Sequence, residues 1–324
     1  MKEIDRPSHH NRPKVIPTMS TNPDLLPVMP KACHFTHILA PVDFSEACLY
    51  GLSTAAGLAR RSGAKLTVMH VVKHLPHGSR MVLDAAELQQ EWQRCARENL
   101  AEFVRAHVPE DVHAEQVVRE GKAFDVIVRE AAKRGCDLIV TATHGYTGLA
   151  HVLIGSTAER IVQHAACPVL VVRGRGGKPA EELAPRWILV PTDFSDNSRK
   201  AFPFATALAL EFGAKLILAH VKPGIPMTGE IPLNFTQEQI DAVHAQAEVR
   251  LRQFRTEHFS EHLDTTTLVL EGNAHECLVK AVISDDPGLI VIATHGHTGW
   301  QHALLGSTAE RVVRHAACSV LVVR

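Results

Sequence analysis

Two stretches of the chain, THGYTGLAHVLIGSTAER (Thr143 to Arg160) and THGHTGWQHALLGSTAER (Thr294 to Arg311), agree at thirteen of eighteen positions. Each keeps three glycines (Gly145, Gly148 and Gly155; Gly296, Gly299 and Gly306) and ends in paired hydroxyls, Ser156-Thr157 and Ser307-Thr308. Glycine accepts positive φ and lets backbone N–H groups approach a ligand closely. A helix that starts after the last glycine offers unpaired N–H groups at the positive end of its dipole. Together these suit a phosphate. A second reading needs no ligand: Ser156 with Glu159, and Ser307 with Glu310, have the S-x-x-E spacing of a capping box. Asp43 and Asp193, each placed after an apolar run, add an acceptor beside the glycine loop and favour a nucleotide site over a bare helix cap.

Histidines recur in the same stretches. His144 and His295 are candidates for charge-assisted contacts to phosphate. His70, His74 and His77 have a metal-like spacing, but Gly224 and Met227 stand at the second and third positions in the other copy, so no metal site is assigned. A catalytic set is also missing: the chain has no GxxxxGK[ST], HExxH or GxSxG pattern. No catalytic residue is therefore named, and any phosphate hydrolysis is expected to be slow.

The elements that would position these residues are duplicated too. Residues 37–71 align with 187–221 at an offset of 150; beyond them the offset is 151, so that Gly121 matches Gly272 and CPVLVVR (167–173) matches CSVLVVR (318–324). The expected organisation is a proline-rich, loosely attached tail (1–36), a first domain (37–173), a polar linker (174–186) and a second domain (187–324). In each copy, short apolar strands alternate with amphipathic helices. HILAPVDF is followed by a helix capped by Ser45 and ended by Gly63; LTVMHVV is followed by a long helix with Leu88, Trp92, Cys95 and Phe103 on its apolar face; then come HAEQVVR, a helix to Arg134, DLIVTAT, a helix opening at Ser156, and PVLVV. Such alternation implies a parallel sheet covered by helices on both faces. The fold class is α/β, as two tandem doubly wound five-stranded sheets, Rossmann-like. Ligands of such sheets bind beyond the carboxyl ends of the strands where strand order reverses, and the glycine stretch leaves a strand at such an end.

Composition sets limits. The chain has 324 residues, 45% of them hydrophobic and 21% charged, with a net charge of −1. That describes an ordinary globular chain of roughly two domains, with no basic patch for nucleic acid and no polybasic segment for a membrane. No segment reaches the roughly 20 apolar residues of a membrane span, and the N-terminus lacks a signal-like apolar run, so the expected location is the cytoplasm. Seven cysteines without a CxxC pair point to reduced, mostly buried thiols.

PVDFS and PTDFS at the first strand, HV at the second, the G-x2-G-x6-G-S stretch and the final PVLVVR strand together resemble the universal stress protein family. The resemblance covers nearly all of 37–173 and 187–324, as a tandem member. It implies the adenine nucleotide alpha hydrolase-like fold with strand order 3-2-1-4-5, and a ligand: ATP, or ADP or AMP, accompanied by Mg²⁺. The residues it implies follow the motif. Pro41, Val42 and Asp43, like Pro191, Thr192 and Asp193, would meet the adenosine portion, and Val71 and Val221 would offer backbone groups to adenine. Ala142, Thr143, His144, Gly145 and Gly148, with Ala293, Thr294, His295, Gly296 and Gly299, would surround ribose and phosphate. Gly155, Ser156 and Thr157, with Gly306, Ser307 and Thr308, would hold the terminal phosphates.

The family's binding pattern is G-x2-G-x9-G-[S/T], and here its first glycine is replaced by Ala142 and Ala293. The added Cβ is expected to weaken binding rather than abolish it. The resemblance further implies stress signalling through nucleotide-dependent conformation or partner binding, an intrachain pseudo-dimer in which Val169–Val172 pairs antiparallel with Val320–Val323, and room for a homodimer. A nucleotide-free scaffold, a slow ATPase and a nucleotidyl transferase are the alternatives.

Overall fold

The computed structural model describes residues 35–73, 85–143, 155–174, 183–224, 237–282, 288–294 and 305–324. The first half runs β1 (His37–Val42), α1 (Glu46–Ser62), β2 (Lys65–Val72), α2 (Ala85–His107), β3 (Ala114–Glu120), α3 (Ala123–Arg134), β4 (Leu138–Ala142), α4 (Ser156–His164) and β5 (Val169–Val172). The second runs β6 (Trp187–Pro191), α5 (Asp196–Arg199), α6 (Phe202–Phe212), β7 (Lys215–Lys222), α7 (Gln237–His258), β8 (Thr265–Glu271), α8 (Ala274–Lys280), β9 (Gly288–Ala293), α9 (Ser307–His315) and β10 (Ser319–Val323).

Both halves form parallel sheets ordered as the family resemblance implied, β3-β2-β1-β4-β5 and β8-β7-β6-β9-β10. They join edge to edge, because β5 pairs antiparallel with β10 in the register Val171 to Val320, Leu170 to Leu321 and Val169 to Val322. The result is one ten-stranded sheet. Successive strand residues alternate between two apolar layers. Ile38, Ala40, Leu170, Val172, Leu321 and Val323 pack on the side of α1, α2, α6 and α7. Leu39, Ile139, Val169, Val171, Val320 and Val322 pack on the side of α3, α4, α8 and α9. Both layers run unbroken across the β5–β10 seam, so the two halves share their cores.

Two helices depart from the sequence reading. The inward face of α2 passes through Gln89, Gln93, Ala96, Leu100 and Val104, whereas Leu88 and Trp92 are each 42% exposed. The face is turned by one residue, about 100° on a helix, and the Gln93 amide donates to Glu120 Oε2 at 3.0 Å. In the second half the counterpart of α1 is split into α5 and α6. Pro203 sits in the first turn of α6, and a proline can neither donate to nor fit against the carbonyl four residues earlier. The caps read from the sequence are in place: Ser45 accepts from the Cys48 N–H at the start of α1, and Gly63 ends it at φ 67°.

Candidate functional site

In each sheet the strand order reverses between the first and fourth strands, β1 and β4 or β6 and β9. The register pairs Ile38 with Leu138 and Leu39 with Ile139, which carries Val42 to the level of Ala142 at the carboxyl edge. On the other side Val42 faces His70, one residue before Val71. The residues expected at the site from Pro41 to Asp43, with Val71, Ala142 and Thr143, therefore gather along one rim. The second half repeats this with Pro191, Thr192, Asp193, Val221, Ala293 and Thr294.

The D-F-S turn forms the first wall. Asp43 Oδ1 accepts the Ser45 N–H at 3.1 Å and the Ser45 hydroxyl at 2.6 Å. Asp193 Oδ1 does the same for Ser195 at 3.0 and 2.6 Å. Between them Phe44 and Phe194 adopt left-handed φ of 64° and 65°, a conformation that costs a bulky residue on the order of 1–2 kcal/mol. The turn brings the Phe44 ring 4.4 Å from the His70 ring and 5.3 Å from Phe103, and the Phe194 ring 4.4 Å from His220 and 5.1 Å from Phe254. His70 Nδ1 lies 2.9 Å from the Val42 carbonyl, and His220 Nδ1 2.9 Å from that of Thr192. A carbonyl only accepts, so Nδ1 carries the proton that it donates in each bond. Under the turn, burial pushes the Cys48 thiol up to about 11. These phenylalanines and histidines were not among the residues expected at the site. Their signal was present as the D-F-S and H-V pairs kept in both copies.

The second wall is the return of the glycine loop. The Thr143 N–H donates to the Val172 carbonyl at 3.1 Å, and the Gly155 N–H donates to the Thr143 carbonyl at 2.5 Å; in the second half the matching distances are 2.8 and 2.7 Å. The loop thus leaves and re-enters at one buried threonine. Gly155 and Gly306 are the N-cap residues, with no side-chain cap bond, and Ser156 and Ser307 are the first helical residues. That corrects the capping-box reading: the serines stand one position too late to cap. Ser156, Thr157 and Ser307 are exposed at the helix start and Thr308 is half-buried.

The Cβ of Ala142 was expected to weaken binding. An ideal Cβ built on Gly51 would lie 3.8 Å from the Ala142 methyl and 3.3 Å from its nitrogen, so that methyl is directed at α1. Ala293 is 8% exposed and belongs to the apolar layer on the same side. His144, Gly145 and Gly148, with His295, Gly296 and Gly299, lie outside the described residues, as do His74 and His77. Among the described residues no group of three or more metal-ligating side chains comes together.

The two rims differ on the outer side. Lys222, which aligns with Val72, is buried with its Nζ 2.5 Å from Glu271 Oε2. Arg250, which aligns with Asn99, holds its guanidinium 4.1 Å from the Phe194 ring centre.

Fold and site together define a tandem, doubly wound α/β protein with one reversal of strand order per half. The universal stress protein family profile matches residues 34–173 and 186–324, and the chain belongs to that family. A universal stress protein of Mycolicibacterium smegmatis is 29% identical over 297 residues, covering 89% of this chain and 96% of the relative. Universal stress protein A homolog 1 of Coxiella burnetii is 34% identical over 142 residues, 43% of this chain and 96% of that protein. Among solved structures, a universal stress protein from Archaeoglobus fulgidus superimposes with a TM-score of 0.58 at 17% identity, over 89% of this chain and 96% of that one. At that identity the likeness speaks to fold. Among the described residues no helix is long and apolar enough to cross a membrane.

Proposed function

We propose that each half binds an adenine nucleotide, ATP or its ADP or AMP forms, in the strand-edge crevice, and that occupancy shifts a conformational or partner equilibrium in a stress response. The observation that carries this reading is the convergence, in both halves, of the D-F-S carboxylate, a strained phenylalanine–histidine wall and a helix start with glycine at its N-cap on one rim. Strain of the Phe44 kind persists where the surroundings over-determine it, and it concentrates at ligand sites.

Asp43 and Asp193 would accept from the ribose, the backbone at Val71 and Val221 would meet adenine, and the first turns of α4 and α9 would take the phosphates. The methyl of Ala142 lies beside Gly51 of α1, which supports a smaller steric penalty than a methyl turned toward the glycine loop would carry. Mg²⁺ would travel with the phosphates, since it keeps several waters and needs few protein oxygens. Its protein partner would be a serine or threonine hydroxyl at the helix start. A homodimer would have to use surfaces other than β5 and β10, whose edges already pair within the chain. The test is the content of the purified protein: denaturation followed by chromatography should release adenine nucleotide. Protein that carries none and takes up none from solution favours the scaffold reading.

A further inference from the structure

We propose that the two crevices are negatively coupled through one shared guanidinium, that of Arg314; the proposal rests on the nucleotide reading above. The helices whose first turns face the crevices, α4 and α9, meet across the β5–β10 seam, around a narrow cleft lined by Glu159, Val162, Leu305, Glu310 and Val313. Arg314 Nη2 stands 2.7 Å from Glu159 Oε1 in the first half and 2.9 Å from Glu310 Oε1 in its own. Both glutamates occupy the first turns of their helices, three residues after Ser156 and Ser307.

The frame around this cation is symmetric. Arg173 Nη2 donates to the Arg314 carbonyl at 3.1 Å. Arg324 Nη2, its repeat partner, donates to the Val162 carbonyl at 2.9 Å and also to that of Gln163. The symmetry of the cation itself breaks, because the repeat partner of Arg314 is Gln163. Two carboxylates therefore share one cation.

A phosphate at the start of α4 deepens the negative potential around Glu159 and strengthens its hold on Arg314. Glu310, which depends on the same nitrogen, is then less compensated beside the start of α9, and an anion binding there meets more repulsion. The reverse order gives the same penalty by linkage. The ion pairs are partly exposed, with side-chain exposures of 27–34%, so the coupling belongs at the weak end of the usual range, about fivefold.

The experiment is a binding cycle with ATP by titration calorimetry at low salt. The product of the two stepwise association constants of the natural chain is compared with the product of the single-site constants of Gly155→Val and Gly306→Val. Where those variants fail to fold by circular dichroism, Asp43→Ala and Asp193→Ala, each with one site weakened at least about tenfold, let the other site be titrated first. The expected product for the natural chain is about fivefold below the independent value, and added salt should bring the ratio of the two toward one. Gln163→Arg, which gives Glu310 a cation of its own, should restore independence without loss of affinity. Arg314→Gln should restore independence while weakening both sites. Independent sites in the natural chain, or coupling that survives both variants, would overturn the shared-cation proposal while leaving the nucleotide reading intact. A chain that binds no ATP at all overturns both.

Discussion

Asp43 and Asp193 each hold a helix start by accepting from the serine two residues on, so their removal has two consequences. Asp43→Ala with Asp193→Ala should lower ATP affinity at least about tenfold and also cost about 1 kcal/mol per helix start. Ser45→Ala with Ser195→Ala should cost a similar stability but much less affinity, because the carboxylates remain. Equilibrium dialysis set beside urea unfolding separates the two losses, and equal affinity losses in the two pairs would make the aspartates purely structural. Ala142→Gly is a sharper probe. The methyl faces α1 near Gly51, so glycine there should change affinity by no more than about twofold. A large gain would mean that the methyl narrows the cradle. The aspartates, glycines and hydroxyls were legible in the sequence because a chemical role shows in residue type and spacing. The Phe44–His70 wall was not, since ring stacking depends on a left-handed φ that residue type does not announce.

At the scale of single elements the two halves solve the same packing problem differently. Where the first half has His37 and Asp137, the second has Trp187 and Gly288, facing each other across β6 and β9. In the first half Asp137 accepts from the Thr36 and His37 N–H groups at 2.7 and 3.0 Å. In the second the indole fills that space: a Cβ on Gly288 would fall 1.9 Å from the Trp187 ring. Gly288→Asp should thus destabilise by about 3 kcal/mol through overpacking, and adding Trp187→His should recover most of the loss in thermal unfolding.

An ion network ties β2, β3 and α3. Lys65 and Arg134 hold the Glu115 carboxyl down to about 2 from its ordinary 4.5. Its contribution is full above 4.5 and disappears as pH falls through about 2, so the stability gap between the natural chain and Glu115→Gln should close over that window. A gap independent of pH would show the pair to be energetically idle. Strand and helix order was readable because hydrophobic period is a local property. The rotation of α2 was not: its apolar Leu88 and Trp92 compete with Gln89 and Gln93 for the inward face, and the Gln93 bond to Glu120 comes from a distant strand.

Across the whole molecule, duplication has produced one continuous sheet. Pairing of β5 with β10 was foreseeable from the apolar, terminal strand of each repeat, which would otherwise expose an edge. The arginine clasp was not, because Arg173 and Arg324 look like ordinary strand ends until their carbonyl partners in the opposite half are known. Sharing both apolar layers across the seam sets the two rims on one continuous core.

The central claim is that each repeat holds one adenine nucleotide at its strand edge. Equilibrium dialysis of the intact chain against ATP, ADP and AMP tests it directly. Two nucleotides per chain are expected, with Gly155→Val and Gly306→Val each removing one. Binding that is absent in the natural chain, or undiminished when both glycines are replaced, would contradict it.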